Sequence, residues 1–83
     1  MEYKEKTKEN AIYNYMVMIK QSWTWERLTT EERVAFIDTV NWATDRGIKG
    51  NYEQRWDILQ LMYHTFLNAL GYAPIGWRET EEK

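Results

Sequence analysis

The chain has 83 residues, 43% of them hydrophobic and 29% charged, with eleven basic and thirteen acidic side chains for a formal net charge of −2. That is one domain, hiding about 64% of its unfolded surface, and its composition is globular rather than fibrous or disordered. The absence of cysteine excludes disulfide frameworks, thiolate nucleophiles, iron–sulfur clusters and Cys-based zinc sites, and the lack of a basic excess disfavours non-specific binding to a polyanion.

Taken in chain order, residues 1–7 read as a frayed, disordered lead-in, charged from Glu2 to Lys6. No long apolar stretch follows, so neither a secretory signal nor a membrane span is expected, and a cytoplasmic setting is. A first helix is predicted over 8–22. Ile12, Tyr15, Met16, Ile19 and Trp23 share one stripe of it at helical spacing. The β-branched and aromatic content of 15–19 makes a strand the minor alternative. Residues 23–28 read as a connector.

Thr29 is the expected N-cap of a second helix over 30–46, with Glu32 completing the capping-box pattern. Val34, Phe36, Ile37, Val40 and Ala43 form its apolar side, and Gly47 suits the left-handed position after its end. Gly47-Ile48-Lys49-Gly50 is a short linker. Asn51 then caps a third helix, with Gln54 at the reciprocal position. Tyr52, Trp56, Leu59, Met62, Tyr63, Phe66, Leu67 and Leu70 cover about half of this helix's circumference. Gly71 ends it and Pro74 forbids continuation. Residues 72–78 hold Tyr72, Ile75 and Trp77, and are expected to fold back over one end of the core; 79–83 read as disordered. The architecture inferred is all-α: a small three-helix bundle with an ordered C-terminal flap.

The stretch from Ile48 to Leu59, with Gly50, Tyr52, Gln54, Arg55 and Trp56, followed by Leu70-Gly71-Tyr72 and Gly76-Trp77-Arg78-Glu79, resembles short, uncharacterised proteins of Firmicutes genomes, some of them near mobile elements. The likeness covers residues 10–79. It implies a bacterial, cytoplasmic protein and transfers no catalytic or binding residue.

The residues themselves point away from catalysis. There is one Ser, Ser22, and one His, His64, and His64 falls on the polar side of the third helix with Glu53, Asp57, Gln60 and Asn68. No nucleophile elbow, phosphate loop or dinucleotide fingerprint is present. One His cannot build a zinc site. Glu31, Asp38 and Asp45 recur every seven residues and Glu53 and Asp57 lie four apart, a spacing that matches no calcium loop. Neither a metal, a cofactor nor a small-molecule substrate is implied, and the chain reads as a non-enzyme.

Two binding readings stay open. The first is a protein–protein module, self-associating or engaging another bacterial or phage protein. Four apolar residues fall off the core stripes: Tyr13 and Val17 on the first helix, Trp42 on the second and Leu61 on the third. Trp42 is the most suggestive, since Trp is enriched at interface hot spots and here sits among acidic and polar neighbours; the bland alternative is that the connector or the flap covers it. A homodimer is the commonest outcome for such a patch. The second reading is a helix-turn-helix-like DNA binder. The start of the third helix offers Asn51, Gln54 and Arg55 to base edges, while Arg46, Lys49 and Arg55 could meet phosphates. Glu53, Asp57 and the negative net charge oppose it.

Overall fold

Two capping boxes set the frame. The Thr29 hydroxyl accepts from the Glu32 backbone N–H at 3.1 Å, and the Glu32 carboxylate accepts from the Thr29 N–H at 2.9 Å. Asn51 and Gln54 repeat the exchange at 2.8 and 2.9 Å. Each box satisfies two otherwise orphaned groups of a first helical turn. The computed structural model describes residues 2–71. After a 3-10 turn over Lys8–Asn10 come α1 (Ala11–Lys20), α2 (Trp23–Arg27), α3 (Thr30–Asp45) and α4 (Tyr52–Ala69). The fold is a small all-α bundle, and no strand occurs among the described residues. The expected flap over 72–78 and the tail over 79–83 lie outside them.

The structure has one helix more than the sequence reading allows. Residues 23–28, read as a connector, wind into α2 because Ser22 caps it, accepting from the Trp25 N–H at 3.3 Å. Arg33 of α3 closes its other end, donating from Nε to the Trp25 carbonyl at 3.0 Å and from Nη2 to that of Glu26 at 3.3 Å. A cation at a helix C-terminus satisfies its last carbonyls and complements the dipole. α2 thereby turns Trp25 and Leu28 into the core, leaving 7% and 4% of them exposed.

α1 and α4 make the main interface; α2 packs on α1, and α3 packs on α4. Tyr15, Ile19, Phe36, Leu59 and Leu67 are fully buried where they meet, with Val40 and Tyr63 beside them. The rings interlock edge to face: Tyr15 on Trp56 at 5.0 Å, Phe36 on Tyr63 at 5.1 Å and Trp25 on Phe36 at 6.3 Å between centroids. Such pairs add to the area that large rings bury. Phe36 is therefore the packing centre, with half-buried Phe66 against it at 5.3 Å, while half-buried Trp56 packs on Tyr15.

Among the described residues, no buried side-chain nitrogen or oxygen lacks a partner. The Tyr15 hydroxyl donates to Gln60 at 2.9 Å. The Tyr63 hydroxyl meets the Thr24 hydroxyl at 2.9 Å, which meets Ser22 at 3.0 Å. Burial raises the pKa of both tyrosines above the usual phenol value, and Tyr63 adds to the shift at Tyr15. Asn14, 1% exposed, is the deepest amide. Its Oδ1 accepts from the Lys4 N–H at 2.8 Å, while Nδ2 donates to the Lys4 carbonyl at 2.9 Å and to the Tyr52 hydroxyl at 3.1 Å. The lead-in, read as disordered, is thus fastened at Lys4.

Three placements differ from the helical-wheel reading. Val17, expected on an outer face, is buried. Eight of the ten α1 residues are apolar, and a helix apolar around most of its circumference is covered around most of it. Trp23, expected on the core stripe, is 45% exposed, because the chain leaves α1 at Lys20 and turns before reaching it. Val34, expected on the inner side of its helix, is 49% exposed.

Candidate functional site

α3 is a long helix with a narrow core contact. Of its sixteen residues only Phe36 and Val40 are buried; Ile37 and Ala43 are half-buried beside them. Its fold is assured locally, by the capping box and by Glu31 and Glu32 in the first turn. The rest of its circumference faces solvent, and there it carries a ridge of residues four apart: Val34, Asp38, Trp42 and Arg46. Trp42 is 58% exposed. The Arg46 guanidinium lies over its ring, 4.4 Å from the centroid, a cation–π contact.

The four residues singled out as interface candidates do not form one group. Val17 is inside. Tyr13 on α1, 44% exposed, holds the Lys4 ammonium 4.3 Å above its ring. Leu61 on α4 is 68% exposed and, with Ile58 one turn before it, makes a two-residue apolar step. No hydrogen bond or ring contact joins Tyr13, Trp42 and Leu61, and none belongs to the core cluster. The sequence reading missed Ile58 and Val34. For Ile58 the signal was present: it lies three residues before Leu61 on the same side.

The proposed DNA-contacting residues are largely committed elsewhere. The side-chain oxygens of Asn51 and Gln54 are used by the capping box. Arg55 Nε donates to the Gly50 carbonyl at 2.7 Å. This bond steadies a linker in which Gly47 and Gly50 both take positive φ, 88° and 111°. Arg46 rests on Trp42, and the Lys49 ammonium folds back over Gly47, 2.8 Å from where a Cβ there would lie.

The lone Ser and the lone His line the same cavity of about 150 Å³, between α1 and α4. His64 is half-buried there rather than fully solvated. No hydrogen bond links the two: the Ser22 hydroxyl donates to the Ile19 carbonyl at 2.7 Å. A larger open groove, about 550 Å³, lies between the lead-in and α4. It is lined by half-buried Met18, Tyr52 and Trp56 and by exposed Lys4, Lys6, Glu53 and Asp57. The one buried amide lining it, Asn14, has both ends satisfied, so no unmatched polar group is aimed into the groove.

Among the described residues no three His, Asp or Glu side chains gather as a metal site, and no helix is long and apolar enough to cross a membrane. No family model, curated protein or solved structure matches the chain.

Proposed function

We propose that this chain is a non-enzymatic protein–protein interaction module that presents the outer face of α3, centred on Trp42, to another protein in the bacterial cytoplasm. One observation carries the reading: a sixteen-residue helix that buries two side chains while leaving Val34 and Trp42 about half exposed. An exposed Trp flanked by charged residues has the make-up of a hot spot, an aromatic anchor within a polar surround. The DNA-binding alternative has less support, because the side-chain oxygens of Asn51 and Gln54 go to the α4 cap and Arg55 Nε goes to the linker, and the net charge is negative. Resemblance to Firmicutes proteins near mobile elements supports a bacterial host or phage protein among the possible partners.

A photo-crosslinking amino acid at position 42, against a control at exposed Lys20, tests this in bacterial lysate with and without nuclease treatment. Discrete adducts are expected from position 42 and not from position 20. Adducts absent at 42, or lost on nuclease treatment, refute the module.

A further inference from the structure

We infer that the partner of α3 is a second copy of this chain, docked antiparallel across Trp42. The inference rests on the reading of α3 as the interaction helix and names its occupant. Its ground is the order of charge along the exposed ridge. Asp38 and Arg46 stand four residues to either side of Trp42, with opposite sign.

A two-fold axis through Trp42 makes an isologous contact, in which each residue meets its mirror position on the other chain. Asp38 then faces the partner's Arg46, and Arg46 faces the partner's Asp38. The two tryptophan rings meet at the centre, each already covered on one face by its own Arg46. The neighbouring mirror pairs are Thr39 with the partner's Asp45 and Asn41 with the partner's Ala43, so no like charges face each other within α3. Other arrangements of the ridge lose this match. A parallel pairing sets Asp38 on Asp38 and Arg46 on Arg46. An antiparallel pairing centred on Asp38 puts the two acids together. One centred between Asp38 and Trp42 sets the acid on the ring and the arginine on Val34. Like-charge juxtaposition across an interface discriminates strongly against a register. α3 spans roughly 24 Å, so a pairing along this helix sits at the small end of specific interfaces and belongs to a weak, reversible dimer.

The test is mass by light scattering behind a sizing column, from about 5 µM to about 1 mM, with far-UV circular dichroism on every variant. The expected result is a mass rising with concentration from 10.1 kDa toward its double. Trp42→Glu weakens dimerisation at least about 100-fold at unchanged helicity. Asp38→Arg, which creates two like-charge contacts by symmetry, weakens it about tenfold or more. The double variant Asp38→Arg/Arg46→Asp recovers most of that loss, because the pair is restored with its signs exchanged. An acid at the end of α3 is unfavourable for the helix dipole. The two single variants at exposed mid-helix positions therefore decide the outcome if the double variant folds poorly.

A monomer at every concentration overturns the self-pairing, while the crosslinking at position 42 separately decides whether α3 binds a different protein. A dimer indifferent to Trp42→Glu and Asp38→Arg also overturns it. A folded double variant that stays as weak as Asp38→Arg rules out the Trp42-centred register.

Discussion

α1 and α3 solve the problem of being a helix in opposite ways. α1 has ten residues and buries five of them; α3 has sixteen and buries two. α1 has no side-chain cap hydrogen bond and is rich in β-branched and aromatic residues, which are indifferent helix formers. Packing holds it together. α3 has a complete capping box, acids in its first turn and a thin apolar seam, so local interactions hold it together. The first helix has spent its apolar surface on this molecule, and the second has apolar surface left to offer.

Alkali should separate the two first and most completely. Tyr15 on α1 and Tyr63 on α4 are both held protonated above the ordinary phenol value by burial. In the unfolded chain they release protons near pH 10. Above that pH the unfolded state binds fewer protons than the native one, so stability falls as pH rises. The contribution is fully present below about pH 10 and is lost beyond it. Tyrosinate absorbance should show these two of the six tyrosines ionising only together with loss of helicity.

Phe36→Ala comes next. It removes the one fully buried ring through which α3 is anchored, and should cost about 3–5 kcal/mol in urea melts. Phe66→Ala, at a half-buried ring, should cost about half as much. A finer contrast uses one residue type on both helices. Val17→Ala on α1 should cost about 1–2 kcal/mol, whereas Val34→Ala on α3 should stay within about 0.5 kcal/mol. Equal effects would abolish the distinction drawn between the helices. Thr29→Ala, which opens the capping box of α3, should cost about 1 kcal/mol. That would make the cap worth more to α3 than its exposed valine.

Much of this was legible in the chain because short-range chemistry wrote it. Thr29 with Glu32, Asn51 with Gln54, and Gly47 after Arg46 mark the ends of α3 and the start of α4 to within a residue. What was hidden depends on distant partners. α2 could not be seen because its closure comes from Arg33, and its reason to exist is Trp25 meeting Phe36 and Tyr63. Val17 was misplaced because a wheel finds the most apolar face of a helix but not how much of the remainder neighbours will cover. On the candidate surface, Trp42 and Leu61 stood out as apolar residues among polar ones. Val34 did not, since its spacing fits the seam of α3 that ends up too narrow to reach it.

Asn14 bears on the order in which the molecule assembles. Its amide pairs with both backbone groups of Lys4 in the way a neighbouring strand would, and its spare hydrogen goes to Tyr52, thirty-eight positions along the chain. Fully matched only where α1 already lies against the start of α4, it becomes a receptor for the incoming segment once that docking has occurred. The first residues therefore settle last during folding and come away first during local opening, with α1 and α4 still joined. In a hydrogen-exchange experiment, the Lys4 amide should exchange ahead of the α1 core amides and report the opening of this one latch rather than the unfolding of the bundle.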